Sequence, residues 1–373
     1  MTMPKTEPIP KSGSGWRRGW KKGVRLGREY GYHFGRCEAV LRGTPNMPPG
    51  WWDVRMLYVT SGKGLPYSPL DQSIIEALGQ LVRELIVLNP AQDLVTEALQ
   101  KRPDIVLVLD GMHVPTERIV KLREAGIRTA IWLTDDPYYS DVTVQWVQPY
   151  DVVFTLELEC VAFYQQNGCA AVHYLPFASN TSIFRPKIIP VDYRYDISFI
   201  GSAYWNRVAF FDQLAPYLAH KRVYISGIWW DRLTHYRELA KKIELNKWMN
   251  PEETAAYYNG AKIVINMHRS ADDRSFNKNN QGIKAVSPNP RMFEISSCGT
   301  LQLTDIREDI ARFYTPGTEI VTYENAEDLI AKIEYYLSHE EERRAMALNA
   351  LRRTLQEHTY MQRMGHMLRL LFG

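Results

Sequence analysis

The sequence predicts an α/β protein with two consecutive doubly wound domains, each built on its own parallel sheet. Short runs of apolar and β-branched residues alternate with longer segments of helical period, which is typical of βαβ units. The apolar runs lack polar alternation, as expected for strands that helices cover on both faces. Two such series occur, and the segment 176–190 between them contains no periodic element. We interpret that segment as the linker between the two domains.

The elements follow in order along the chain. In the first series the predicted strands are 54–60, 104–110, 127–134 and 151–156, and the predicted helices are 68–82, 92–101, 116–125 and 158–167. In the second series the strands are 195–201, 222–227, 262–268, 300–305 and 319–323, and the helices are 204–219, 232–241, 252–260, 290–297, 306–313 and 326–338. Helical segments continue over about 339–370. We therefore predict an arm and linker at 1–50, domains at 51–180 and 181–350, and a bracing C-terminal helix at 351–373.

The composition excludes several classes of protein. Hydrophobic residues make up 45% and charged residues 23% of the 373 residues, as in soluble globular chains. No apolar run is long enough to span a bilayer, and the first residues lack the apolar core of a secretory signal. The four cysteines, Cys37, Cys160, Cys169 and Cys298, have neither disulfide-framework nor metal-ligand spacing. We expect a cytoplasmic protein with reduced thiols and no bound metal.

The first 50 residues carry most of the charge asymmetry. They contain ten Lys or Arg against three Asp or Glu, whereas the rest of the chain has 35 basic and 39 acidic side chains. Glycine recurs at every fourth position from Gly15 to Gly35, and each glycine costs an isolated helix about 1 kcal/mol. Two alternatives remain open: a disordered basic arm, or a helix ordered by close packing on a partner. An anionic membrane surface, a nucleic acid and another protein are all candidate partners of this arm, whereas the body shows no specific nucleic-acid binding pattern.

The segment 289–300 is the strongest candidate for chemistry. Asn289 and Pro290 suit the start of a helix, and Arg291 in its first turn offers a fork of donors to a phosphate. Glu294 shares that helix face, three residues on. A carboxylate beside a phosphate site is unfavourable unless it binds something else, such as the two hydroxyls of a ribose. From the spacing alone, an exposed ion pair on a surface helix explains Arg291 and Glu294 equally well.

Four segments together resemble one family. They are NPRMFEISSCGT (289–300), FIGSAYWNR (199–207), INMH (265–268) and IWLTDDPYY (131–139). In combination they resemble the CgeB-like spore-maturation glycosyltransferases, which belong to the GT-B superfamily, over about residues 54–370. The resemblance implies two Rossmann-like domains facing across a cleft, no cofactor or metal, and a nucleoside diphosphate sugar as donor co-substrate bound mainly by the second domain. It also favours the ribose-diol role for Glu294.

The expected donor site gathers residues at strand ends of the second domain. The candidates are Gly201, Ser202, Arg207, Asn266, His268, Asn289, Arg291 and Glu294. Arg207 would clamp the diphosphate beside the glycine turn, and His268 would contact phosphate or sugar hydroxyls. A tight turn with a solvent-exposed arginine and a structural histidine are the alternatives. Lys278 and Lys284, in the polar loop 269–288, are candidates for phosphate contacts or a mobile lid, against plain solvation.

The first domain should present the acceptor and a general base. Asp135 and Asp136 follow the strand 127–134, and either carboxylate could deprotonate an acceptor hydroxyl, whereas capping of the turn before Pro137 is the structural alternative. His113, after the preceding strand, is another candidate base. We thus expect a sugar transferase acting on a carbohydrate or protein acceptor, with spore-surface or envelope polymers implied by the resemblance. A non-catalytic scaffold of the same fold, recruited by its glycine-repeat arm, is the alternative.

Overall fold

The computed structural model describes residues 13–45 and 47–373. The helices are α1 Gly13–Gly43, α2 Ser68–Leu81, α3 Leu94–Lys101, α4 Thr116–Glu124, α5 Ser140–Trp146, α6 Leu158–Gln166, α7 Trp205–Leu218, α8 Tyr236–Leu239, α9 Pro251–Gly260, α10 Arg291–Ser297, α11 Ala326–Ser338, α12 Glu340–Glu357 and α13 Tyr360–Phe372. The strands are β1 Trp52–Val59, β2 Val82–Leu88, β3 Ile105–Leu109, β4 Thr129–Trp132, β5 Val152–Thr155, β6 Val172–Tyr174, β7 Tyr195–Ile200, β8 Val223–Gly227, β9 Ile243–Leu245, β10 Ala261–Asn266, β11 Leu301–Asp305 and β12 Val321–Tyr323.

Within the described residues, these strands form two six-stranded sheets, and every pairing in them is parallel. The first has the order β2-β1-β3-β4-β5-β6 and the second the order β12-β11-β10-β7-β8-β9. The strand order reverses between β1 and β3 in the first sheet and between β7 and β10 in the second. Ligands bind at such reversal points, beyond the carboxyl ends of the strands. The predicted fold class, α/β with two doubly wound parallel sheets, is confirmed.

The last helix completes the core of the first domain. Met364, Met367 and Leu368 of α13 are fully buried in the same cluster as Tyr58 of β1 and Leu78 of α2. The chain therefore crosses between the domains twice, once near Ser179 and once between α12 and α13. The two crossings lie side by side, because the Ser179 N–H donates to the His358 carbonyl (2.9 Å) and the Tyr360 N–H donates to the Ser179 carbonyl (3.1 Å).

The glycine-repeat arm is helical in the structure rather than disordered, but a Cβ on the glycines from Gly19 to Gly35 would meet no atom within 4 Å, so the close packing on a partner stays a prediction. Its carboxyl-terminal half packs on α12, where Cys37 and Val40 are buried against Leu351 and neighbouring leucines. His33 Nε2 lies 2.8 Å from the Gly299 carbonyl oxygen. The helix ends at Gly43, just before the Pro-rich segment that predicts a break. No helix in 13–45 or 47–373 has the length and apolar character needed to cross a membrane.

Several elements differ from the prediction, and the short elements β6, β9 and α5 were not predicted at all. Strand β2 was not predicted, because it follows α2 without a turn and its polar Arg83 and Glu84 lie on an edge strand. The segment 306–313 forms only a short 3₁₀ turn, Ile310–Arg312, rather than a helix. The reason is tertiary: the Asp309 carboxylate accepts a 2.5 Å hydrogen bond from the Tyr174 hydroxyl of the first domain. The segment 232–241 contains only the four-residue helix α8, flanked by 3₁₀ turns.

Candidate active site in the interdomain cleft

A cleft of about 550 Å³ opens between the carboxyl ends of the two sheets. Its first-domain wall includes Leu65, Tyr67, Thr134 and Asp135, and its second-domain wall includes Gly201, Ser202, Gly227, Lys247, Trp248, Tyr258, Arg291 and Glu294. Tyr360, at the start of α13, also lines it. Residues that the sequence analysis assigned to two separate domains therefore line one cleft.

Arg291 and Glu294 face this cleft without partners. Among the described residues, neither side chain makes a hydrogen bond, and no ion pair joins the two. The i,i+3 surface ion pair is therefore not formed. Burial raises the pKa of Glu294 to about 7, and the nearby Arg291 charge offsets only part of that effect. An unpaired cation and an unpaired carboxyl group in one cleft are typical of a site that binds a polar ligand.

The glycine turn after β7 lets the backbone approach this pair. A Cβ on Gly201 would lie 3.1 Å from an Arg291 guanidinium nitrogen. The Ser202 N–H has no acceptor among the described residues, so it is available to a ligand oxygen. Gly201, Ser202 and Arg291 thus lie together on one polar wall of the cleft.

Asn266, His268 and Asn289 support the site from behind. The Asn289 N–H donates to His268 Nε2 (3.0 Å), and the Asn289 side-chain amide donates to Asn266 Oδ1 (2.8 Å). His268 Nδ1 lies 2.6 Å from Asp305 Oδ1, and burial lowers the pKa of the imidazole. The expectation that Asn266 and His268 contact the ligand is wrong, because both are buried and hold the segment that leads into α10. Asn289 likewise is absent from the cleft wall.

Arg207 does not reach the cleft. Its side chain is 2% exposed, and its guanidinium donates to the Ser202 carbonyl (2.8 Å) and the Met267 carbonyl (2.6 Å). Burial and the neighbouring Arg291 charge lower the pKa of Arg207 to about 9. The prediction of a direct diphosphate clamp is wrong. Arg207 instead ties the turn after β7 to the end of β10.

Asp135 belongs to a hydrogen-bonded group at the reversal point of the first sheet. Its Oδ2 accepts from the Tyr67 hydroxyl (2.9 Å) and the Thr134 hydroxyl (2.8 Å). Thr134 also lies 2.5 Å from Asp110 Oδ2, which forms a 2.6 Å ion pair with Lys63. Burial, together with the charge of Asp135 and the hydrogen bond to it, raises the pKa of Tyr67 well above its ordinary value. Asp135 is therefore held in place on the first-domain wall of the cleft.

The other two candidate bases lie elsewhere. Asp136 is 1% exposed, and its carboxylate accepts from Thr155 (2.6 Å) and Tyr164 (2.7 Å). Burial raises the pKa of Asp136 to about 6. Its predicted place at the cleft surface is wrong, because the side chain turns into the core of the first domain. His113 is exposed beside Gly62 and is not part of the cleft wall.

The sequence analysis missed several residues of the cleft wall. Trp248, 53% exposed, and Lys247 follow β9, a three-residue strand too short to recognise by pattern. Lys247 is fixed by Glu244 (2.9 Å) and by Glu253. Tyr67 was not among the candidate site residues, although the loop 61–68 that carries it was expected to form a wall of the cleft. The one available signal for Trp248 was an aromatic residue in a polar loop.

The polar loop 269–288 contacts the first domain. The Lys278 N–H donates to the Tyr138 carbonyl (2.7 Å), and the Asp141 N–H donates to the Lys278 carbonyl (2.9 Å). The side chains of Lys278 and Lys284 are exposed and do not line the cleft. In the part of the chain that the structure describes, no group of three His, Cys, Asp or Glu side chains could hold a metal ion.

Replacing Gly227 by Ala is expected to lower the thermal midpoint by several degrees, because the new Cβ would lie 2.2 Å from the Gly201 carbonyl oxygen. The Gly201 carbonyl belongs to the main chain and cannot rotate away as a flexible side chain can. The turn after β7, which contributes to the second-domain wall of the cleft, must therefore shift. Differential scanning calorimetry measures this change. Gly79→Ala is the matched control: nothing lies within 4 Å of its Cβ position in α2, so we expect a small gain in stability. Equal midpoints for the two variants would contradict the close approach.

The chain is similar to proteins of known family and structure. The family model described as "Glycosyl transferase-like" matches residues 207–369. The spore protein CgeB of Bacillus subtilis (strain 168) is 31% identical over 315 residues, which are 82% of this chain and 95% of that protein. Among solved structures, Anabaena HepE in complex with UDP and glucose has a TM-score of 0.59 at 10% identity, over 85% of this chain and 99% of that chain. Sucrose-phosphate synthase from Thermosynechococcus elongatus has a TM-score of 0.58 at 12% identity, with the same coverage.

Proposed function

The chain belongs to the CgeB-like family of glycosyltransferases and has the GT-B fold, and from this we propose that it transfers a sugar from a nucleoside diphosphate sugar to a hydroxyl acceptor. One observation carries the proposal. A single cleft contains Asp135 on one wall and the unpaired Arg291 and Glu294 on the other. A transfer between two substrates needs this combination: an anion site, a polyol site and a base that face one another.

The donor binds to the second domain. Glu294 accepts two hydrogen bonds from the ribose hydroxyls, which explains a carboxyl group without any protein partner. Arg291 and the Ser202 N–H bind the diphosphate, and Arg207 fixes the turn that presents them. These donors stabilise the charge that develops on the leaving diphosphate as the glycosidic bond breaks. Trp248 offers a flat, half-exposed ring on the same wall for stacking of the nucleobase.

The acceptor binds to the first domain, where Asp135 takes the proton of the attacking hydroxyl. Tyr67 orients the carboxylate through its hydroxyl, and the single hydroxyl proton of Thr134 is shared between Asp135 and Asp110, which pairs with Lys63. The acceptor is a carbohydrate or a protein in spore-surface or envelope polymer synthesis, a proposal that the name of the Bacillus subtilis relative supports. We place the reaction in the cytoplasm, next to a spore or envelope layer. The competing proposal is a scaffold that has kept the fold without catalysis.

The purified protein is expected to melt at a higher temperature with one nucleoside diphosphate than with the others. A ligand at a hundredfold excess over its Kd stabilises a protein by about 2.7 kcal/mol, which moves the midpoint by a few degrees. UDP leads the panel because HepE was solved with it, followed by dTDP, GDP, ADP and CMP. The shift should persist in EDTA, since the proposed donor site uses Arg291 and backbone rather than a metal.

The same panel tests the competing proposal. If no nucleotide moves the midpoint of the folded protein, the donor site is refuted and the scaffold is favoured. A shift that EDTA abolishes would refute metal independence alone. Release of the preferred diphosphate from its sugar conjugates then identifies the donor.

A further inference from the structure

The amino-terminal half of α1 projects from the body of the protein. Every residue from 15 to 25 is exposed, and partial burial begins only at Leu26. Trp16 is 73% exposed and Trp20 is 59% exposed. A Cβ added to Gly19 or Gly23 would meet no atom within 4 Å. We name residues 15–25 the projecting segment. Neither its tryptophans nor Gly19 and Gly23 pack on the described part of the chain.

The projecting segment is divided lengthwise into two faces. Trp16, Trp20 and Val24 are spaced at i, i+4 and i+8, so they share one face with the intervening glycine Gly23. That face differs from the side by which α1 packs on α12, because Cys37 and Val40 lie at other angles around the helix. On the opposite face lie the basic residues Arg17, Arg18, Lys21, Lys22 and Arg25, and the glycine stripe separates the two faces on one side. The result is a helix with an aromatic edge and a basic edge.

The positive charge of the projecting segment favours an anionic partner. Five of its eleven residues are Lys or Arg, and the first acidic side chain after residue 15 is Glu29. A second copy of the chain would bring two strongly positive segments together, which opposes self-association through the glycine stripe. A double-stranded nucleic acid would neutralise the charge but leave Trp16, Trp20 and Val24 in water. An anionic membrane surface satisfies both edges, since tryptophan favours the interface and lysine and arginine bind the headgroups.

The glycines of the projecting segment give a further physical reason to expect binding to a membrane surface. Gly15, Gly19 and Gly23 each cost about 1 kcal/mol relative to alanine in a helix that stands alone in water. Burial of two tryptophan side chains in an interface offsets that cost. We propose that the projecting segment binds the surface of an anionic phospholipid membrane, with its axis in the membrane plane and Trp16 and Trp20 in the interface. The carboxyl-terminal half of α1, fixed to α12, then holds the two domains at that surface.

Sedimentation of the full chain with phospholipid vesicles tests this inference without any activity measurement. The protein should sediment with vesicles rich in phosphatidylglycerol and stay in solution with pure phosphatidylcholine. Each basic residue near an anionic surface contributes about fivefold to partitioning, so Lys21→Glu with Lys22→Glu should weaken it by more than about tenfold. Trp16→Ala with Trp20→Ala should also weaken it by at least about tenfold. Addition of 1 M salt should release the protein, because the screening length falls to about 3 Å.

The control is Arg237→Glu with Lys241→Glu, which makes the same charge change on an exposed part of the second domain and should bind like the wild type. All variants should share the wild-type thermal midpoint, since the altered side chains lie on the surface. Absence of sedimentation with anionic vesicles would overturn the inference. In that case a DNA-fragment titration would test a nucleic acid as the partner, whereas full binding of the double tryptophan variant to anionic vesicles would overturn the placement of Trp16 and Trp20 in the interface.

Discussion

Replacing Glu294 by Gln is expected to weaken donor binding strongly while leaving the protein folded. The amide keeps the shape of the side chain, but it loses the charge that strengthens two hydrogen bonds from a ribose. Hydrogen bonds to a charged group contribute about 1.5–3 kcal/mol each, so the affinity for the preferred nucleoside diphosphate should fall by about a hundredfold or more. Isothermal titration of the diphosphate and the donor KM measure the loss.

The same variant should be more stable than the wild type at alkaline pH. Burial raises the pKa of Glu294 from 4.5 to about 7. The folded protein therefore binds this proton more tightly than the unfolded chain, and the free energy of unfolding falls as the pH rises from 4.5 to 7. Above pH 7 the buried charge costs on the order of 3 kcal/mol, which Glu294→Gln removes; below pH 4.5 the two proteins should melt alike.

Glu327→Gln, on the exposed first turn of α11, is the matched control and should change neither affinity nor stability. Wild-type affinity in Glu294→Gln would refute the diol role. A lower thermal midpoint at pH 8 would instead show that the carboxylate has a structural partner.

Replacing Asp135 by Asn is expected to lower kcat by about a hundredfold to ten-thousandfold, because a general base contributes that much to a proton transfer. The KM for the donor should differ from the wild-type value by no more than about twofold, since Asp135 lies on the first-domain wall of the cleft. The thermal midpoint should also hold, because the amide oxygen of Asn can still accept from Tyr67. Initial rates at saturating donor and acceptor separate these effects.

Asp136→Ala serves as the contrast to Asp135→Asn. It leaves the buried hydroxyls of Thr155 and Tyr164 without their acceptor, so we expect the free energy of unfolding to fall by about 2–4 kcal/mol. Its folded fraction should nevertheless turn over, since Asp135 remains. His113→Ala should be active and stable. Unchanged kcat in Asp135→Asn would exclude it as the base, and loss of activity in His113→Ala would transfer that role.

Sequence pattern was enough to predict the architecture, because continuous apolar strands and amphipathic helices leave a strong periodic signal. It was also enough to place Arg291, Glu294 and Asp135 at strand ends, where parallel sheets bind ligands. It could not say which of the adjacent acids Asp135 and Asp136 turns outward. That depends on the buried hydroxyls of Thr155 and Tyr164, which lie twenty to thirty residues away in sequence and only a hydrogen bond away in the fold.

The same limit applies to the basic and imidazole groups. Arg207 and His268 have the residue types and the strand-end positions of ligand contacts. In the structure, however, both side chains are engaged by the protein itself. Two main-chain carbonyls accept hydrogen bonds from the Arg207 guanidinium, and Asp305 and the Asn289 N–H bind the two imidazole nitrogens of His268. A motif therefore identifies a neighbourhood, and long-range hydrogen bonds determine which members of it remain free.

The contribution of α13 to the first core has a consequence for synthesis on the ribosome. The first sheet is complete once β6 has emerged, yet the apolar face that receives Met364, Met367 and Leu368 stays uncovered for almost two hundred more residues. At a usual elongation rate of about 5–20 residues per second, that is roughly ten seconds or more of exposure. The nascent first domain is therefore a natural client for chaperones. For the same reason, we expect a fragment of residues 51–180 alone to aggregate. Co-expression with residues 340–373, which include α13, should keep that fragment in solution.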